Sequence, residues 1–101
     1  MYRGTTPRLI FNVKFDISKI EVLWITFKQG KSIIIEKQLS DCTLSYDKNQ
    51  IIVNLTQEET LSLSADKDLI IQIRVRFTNG KAGVSKEIDT YVNDILHDGV
   101  I

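Results

Sequence analysis

A chain of 101 residues, 43% hydrophobic and 26% charged, has the length of one domain and the composition of a folded globular protein, which excludes a disordered chain. One Pro and five Gly exclude a collagen-like or linker-like chain, and thirteen Lys+Arg against thirteen Asp+Glu leave no net charge to draw the domain onto nucleic acid or anionic lipid.

Arg8 to Phe15 alternates, with Leu9, Phe11, Val13 and Phe15 on one side and Arg8, Asn12 and Lys14 on the other, and this period of two predicts a half-buried strand. Asp16 to Ile20 breaks the pattern. Glu21 to Gln29 resumes it, with Leu23, Ile25 and Phe27 opposite Val22, Trp24 and Thr26. Gln29-Gly30-Lys31 is a short polar link before the β-branched run Ser32 to Leu39, so these two strands read as a hairpin. Cys42, Leu44 and Tyr46 alternate with Thr43 and Ser45, and Asp47-Lys48-Asn49 supplies turn chemistry ahead of Gln50 to Leu55, a second hairpin. Thr56-Gln57-Glu58-Glu59 fits a capping box and predicts one short helical turn near 57–63.

Asp68 to Phe77 is the strongest strand, with Leu69, Ile71, Ile73, Val75 and Phe77 facing one way and Gln72, Arg74 and Arg76 the other. Asn79-Gly80 predicts a tight type I′ turn, and the strand returning from Lys81 to about Tyr91 is expected to carry Ala82, Val84 and Ile88 inward. Ile88, Tyr91, Val92, Ile95 and Leu96 also fit a helical spacing, so a second helical turn is placed near 93–97, with Gly99 as its stop. About seven short strands without an intervening long helix predict an all-β fold, an antiparallel β-sandwich of immunoglobulin-like arrangement, as a single domain over 1–101.

The raw material for catalysis is thin. His97 beside Asp98 reads as a solvated pair, and Cys42, in an alternating strand, reads as a small buried hydrophobe. One Cys and one His cannot supply a zinc set or an intramolecular disulfide. Capping accounts for Glu59 and solvent for Glu58. Asp66 and Asp68 lack the ligand spacing, central glycine and closing glutamate of a calcium loop. Gly80-Lys81-Ala82-Gly83 sits in a hairpin and lacks a phosphate-cradling helix. The expectation is a non-enzyme with no catalytic residue, no cofactor and no metal. Lys28, Arg74 and Arg76 with Trp24 could form a basic row on a sheet face, but acidic cross-strand neighbours are expected to neutralise it, so no nucleic-acid partner is expected. Small-molecule ligands are not expected either.

Several strands are apolar on both sides, and a two-layer sandwich buries only one face of each sheet. The surplus, carried by Val22, Trp24, Ile34 and Ile70, is expected to form an interface with a second copy or another protein. The alternative is a carbohydrate- or cell-surface-binding module in which Trp24 or Tyr46 stacks on a sugar. The longest apolar runs, such as Ile33-Ile34-Ile35, are too short to cross a bilayer, so no membrane partner is expected. No basic segment followed by a long apolar stretch opens the chain, which predicts no signal peptide and a cytoplasmic site of synthesis.

Five segments carry a resemblance: Met1-Tyr2-Arg3-Gly4-Thr5-Thr6-Pro7, Trp24-Ile25-Thr26-Phe27-Lys28-Gln29, Asp41-Cys42-Thr43-Leu44, Leu55-Thr56-Gln57-Glu58-Glu59-Thr60-Leu61, and Ile95-Leu96-His97-Asp98-Gly99-Val100-Ile101. In these the chain resembles small prophage-encoded proteins of Gram-positive bacteria from the tail and baseplate region. It is more distantly similar to the β-sandwich N-terminal domain of phage baseplate upper proteins. The resemblance implies a structural or assembly protein, virion-associated once assembled, whose partner is a homo-oligomer or a larger phage tail protein. It supplies no functional residues.

Overall fold

In the computed structural model, which describes residues 1–101, the alternating segments become eight strands and one short helix. In chain order these are β1 (Arg8–Asn12), β2 (Ile20–Gln29), β3 (Ser32–Gln38), β4 (Cys42–Ser45), β5 (Gln50–Asn54), α1 (Gln57–Leu61), β6 (Lys67–Phe77), β7 (Ala82–Val84) and β8 (Ile88–Val92). Two 3₁₀ turns, Ile17–Lys19 and Leu39–Asp41, lead into β2 and β4. One sheet has the order β1-β5-β4; the other runs β3-β2-β6, with β7 and β8 both on the far side of β6. All these pairings are antiparallel. The chain changes sheet after β1, β3 and β5, which reproduces the B-E-D and C′-C-F-G orders of an immunoglobulin sandwich with no strand outside β1.

The core lies where the clean alternation placed it. Leu23, Ile25 and Phe27 of β2 and Leu69, Ile71, Ile73 and Val75 of β6 are buried, facing Phe11, Ile51 and Val53 of the smaller sheet in one contiguous cluster. Each contributes about 1.5–3 kcal/mol by leaving water. Gln29 is buried among them at the end of β2, where its amide takes the place of a strand neighbour: Nε2 donates to Ser64 O (2.9 Å) and Oε1 accepts from Ser64 N (2.7 Å). No buried side-chain nitrogen or oxygen lacks a partner.

The capping box forms as its spacing predicts. Thr56 Oγ1 accepts from Glu59 N (3.1 Å), and Glu59 Oε1 accepts from Thr56 N (2.9 Å). Glu59 also meets Lys37 Nζ at 2.6 Å. Burial pushes the Glu59 carboxyl up, but Lys37 and the Thr56 amide outweigh it and hold the group below its usual range. Lys37 lies on the inner side of the edge strand β3, opposite Ile25, and an inward charge of this kind blunts edge-to-edge pairing.

Three expectations are corrected, two of them by a single extra residue. First, the Asn79-Gly80 turn is not type I′, because only Gly80 has a positive φ (+85°). Gly80 N donates to Phe77 O and Phe77 N to Lys81 O, a three-residue loop that shifts the register by one. Ala82 and Val84 therefore stand opposite Arg76 and Arg74 and face outward. Gly83 faces inward instead, and a Cβ there would lie 3.4 Å from the Phe77 ring. Between Val84 and Ile88 the chain spends four steps against three on β6, from Arg74 to Ile71, and this bulge restores the inward phase for Ile88 and Val92. The single returning strand thus divides into β7 and β8.

Second, β3 carries an extra residue where Phe27 pairs with Ile35 and Lys28 with Ile33. Ile34 packs against the core instead of facing outward, and Ile33 takes the outer position, 55% exposed.

Third, residues 93–97 form no helix. Their backbone is claimed by the start of the chain: Asn93 N donates to Met1 O (2.7 Å) and Arg3 N to Asn93 O (3.0 Å), a parallel bridge beside β8. Gly4 (φ +70°) lies under Ile95, whose Cδ1 would be 2.9 Å from any Cβ placed there. The Arg3 guanidinium, 17% exposed, locks this clasp by donating to Leu61 O (3.0 Å) and Leu63 O (2.8 Å) at the end of α1, with Asp94 at 3.1 Å and Asp98 at 3.4 Å.

Candidate binding face

The outer face of the larger sheet collects side chains in cross-strand rows, because directly opposed residues point the same way. Ile33, Lys28, Ile70 and Asp89 form one row across β3, β2, β6 and β8. Glu36, Thr26 and Gln72 form the next, followed by Gln38, Trp24, Arg74 and Val84, and then Val22, Arg76 and Ala82. The middle rows surround a depression of about 450 Å³ to which the bulge between β7 and β8 adds Glu87. Bulges commonly re-aim a side chain in this manner.

Trp24 is the single tryptophan of the chain, 38% exposed, and stands directly opposite Arg74. Around them lie apolar Val22, Ile33, Ile70 and Val84 and the polar groups of Thr26, Glu36 and Gln72. An aromatic and an arginine at the centre of a mixed surface is the composition of an interaction hot spot. The charges on this face alternate in sign. Arg76 pairs with Glu21 at 3.0 Å, and Glu36 and Glu87 share the depression with Lys28 and Arg74. A polyanion would meet carboxylates along the whole basic row.

Of the four residues expected at an interface, Val22, Trp24 and Ile70 come together on this face, and Ile34 lies elsewhere, beside Glu58, Glu59 and Ser62 of the α1 region. Ile33 and Val84 escaped the sequence reading, since each reaches the outer face through an inserted residue that leaves no mark on the alternation. Tyr46 is exposed in the turn between β4 and β5, on the other sheet, so Trp24 has no aromatic companion in the depression.

The remaining chemical groups are structural in their contacts. Cys42 packs against the core and its thiol donates to Gln38 O at 3.3 Å. Burial, assisted by the Asp41 charge and opposed by Lys37, pushes the thiol up to about 11. Alkylation at pH 8 is accordingly expected to run about a hundredfold slower in the native protein than in the denatured chain, because only the thiolate reacts. Equal rates in the two states, read by mass spectrometry of labelled protein, would contradict the buried placement. His97 is exposed, and its neighbour Asp98 is drawn to Arg3. Asp66 occupies a turn at φ +57°, with its amide donating to Val92 O at 2.8 Å. No three His, Cys, Asp or Glu side chains gather as a metal set, and no helix is long and apolar enough to cross a membrane.

Compared with known proteins, the chain matches no family model, and no curated protein is significantly similar to it.

Proposed function

We propose that this domain is a non-enzymatic, phage-derived structural or assembly protein of a tail or baseplate, acting by protein–protein interaction through the outer face of its larger sheet. The observation that carries the binding surface is Trp24 opposite Arg74 in a depression they line together with Ile70, on a sheet face that also presents Val22, Ile33 and Val84. Large apolar and aromatic groups at a sheet centre are normally covered in an assembly. The tail and baseplate assignment rests on the five resembling segments.

As the only tryptophan, Trp24 is a built-in probe. Titration with individually purified tail and baseplate proteins is expected to blue-shift its emission with one of them. Trp24→Ala is expected to weaken that binding at least tenfold with unchanged thermal unfolding, the scale of a hot-spot truncation of about 1.4 kcal/mol or more. If no tail protein shifts the emission, or Trp24→Ala binds as tightly as the parent, the reading fails. The carbohydrate reading is supported by the hydrogen-bonding groups of Thr26, Glu36 and Gln72 beside the indole, and weakened by the isolation of Trp24 from Tyr46. A saccharide that saturably shifts the emission would favour it.

A further inference from the structure

We propose that the open edge of β1 pairs with β1 of a second copy of this chain, antiparallel about a two-fold axis, so that two three-stranded sheets become one six-stranded sheet. β1 pairs with β5 on one side, and no backbone hydrogen bond reaches its other side. In the immunoglobulin order a further strand lies there, but here the segment that precedes β1 runs beside β8 instead.

The other edges are guarded. β3 carries an extra residue and the inward Lys37, β4 and β7 have four and three residues, and the end of β8 is covered by Met1–Arg3. Bulges, inward charges, short strands and covering segments are the ordinary means of blocking such edges. β1 has no bulge, no inward charge and no covering segment, and is one residue longer than β4.

The strand is also complementary to itself. In a register centred on Ile10, Ile10 faces its own copy, Arg8 faces Asn12 of the second copy, and Leu9 faces Phe11. No like charges oppose, and all five residues are used. Ile10 is 50% exposed and lies beside Ile52, so pairing would join two Ile10–Ile52 patches into one apolar strip across the joint. On the inner side the half-buried Leu9 would gain a phenyl ring as its neighbour. Registers centred on Leu9 or Phe11 oppose Ile10 to Arg8 or to Asn12 and leave two residues unpaired. The joint lies on the smaller sheet, so each dimer would still offer two Trp24 faces.

The test is the solution mass by light scattering over a hundredfold range of concentration. The parent is expected to rise from 11.6 kDa toward twice that value. Ile10→Lys and Ile10→Glu alone are each expected to stay single, by at least a tenfold weaker association. An equimolar mixture of the two is expected to regain the doubled mass, since residue 10 meets only its own copy. Trp24→Ala is expected to associate like the parent. A parent that stays single throughout overturns the proposal, as does undiminished doubling of Ile10→Lys, a mixture of folded variants that does not reassociate, or loss of association in Trp24→Ala.

Discussion

Replacing Arg3 by methionine is expected to lower stability by about 3 kcal/mol, read by denaturant or thermal unfolding. Methionine keeps the apolar stem, so the loss isolates the guanidinium. That group donates to Leu61 O at 3.0 Å and Leu63 O at 2.8 Å, and hydrogen bonds from a charged donor are each worth about 1.5–3 kcal/mol. The ion pairs are the smaller part. Asp94 and Asp98 are 54% and 72% exposed, and pairs of that kind contribute below about 1 kcal/mol. Asp94→Asn should therefore cost far less than Arg3→Met. Arg3→Lys should recover less than half, because a single ammonium cannot reproduce the planar fork that serves two carbonyls and two carboxylates. For a domain of this size the methionine variant should unfold roughly 12–24 °C lower. A shift of only a few degrees would show that the clasp between the chain's start, α1 and the segment after β8 is peripheral to the fold.

Asn49→Ala is expected to cost about 3 kcal/mol, from two sources that a second variant separates. The Asn49 amide donates to Val13 O (2.7 Å) and Phe15 O (2.8 Å), and its carbonyl accepts from Ile17 N (3.2 Å). One side chain thus holds the crossover from β1 to β2, where Ile17 is buried. The backbone of Asn49 is left-handed, at φ +53°, a conformation that asparagine tolerates and that costs alanine about 1 kcal/mol. Asn49→Gly removes the same three hydrogen bonds without that backbone cost, so it should be more stable than Asn49→Ala by about 1 kcal/mol despite its freer unfolded chain. Equal stability of parent and Asn49→Gly would mean that water replaces the amide without loss.

Both residues show what a linear reading misses. Arg3 reaches partners 58 to 95 positions away, and Asn49 reaches back 32 to 36. Neither sits in a periodic pattern. Asn49 was legible as turn chemistry, but its role in closing a loop of the neighbouring strand was not, because that requires β1 and β5 to be adjacent first.

The candidate face was legible to the same degree as the strands that build it. β6, and β2 from Val22 onward, alternate without interruption, so Val22, Trp24 and Ile70 fall on the outer side by counting alone; the one irregularity in β2 lies before this stretch, between Ile20 and Val22. Ile34 was misplaced because Ile33-Ile34-Ile35 has no polar residue to mark which of the three is the extra one.

What the sequence determined by itself is the inner and outer sides of β2 and β6, the capping box at Thr56 and Glu59, and an all-β sandwich. Each follows from neighbours within one strand or one turn. The tertiary structure decided the phase of β3, β7 and β8 and the path of the last residues. The physical reason is that alternation defines two sides of a strand, but not which side meets the core after an inserted residue. In β7 that choice turned on the backbone of Asn79, which stays at negative φ while its side chain accepts from Lys81 N at 3.0 Å. After β8 it turned on Met1 to Gly4, whose backbone and small size give Asn93 and Ile95 a better partner than a helix of their own.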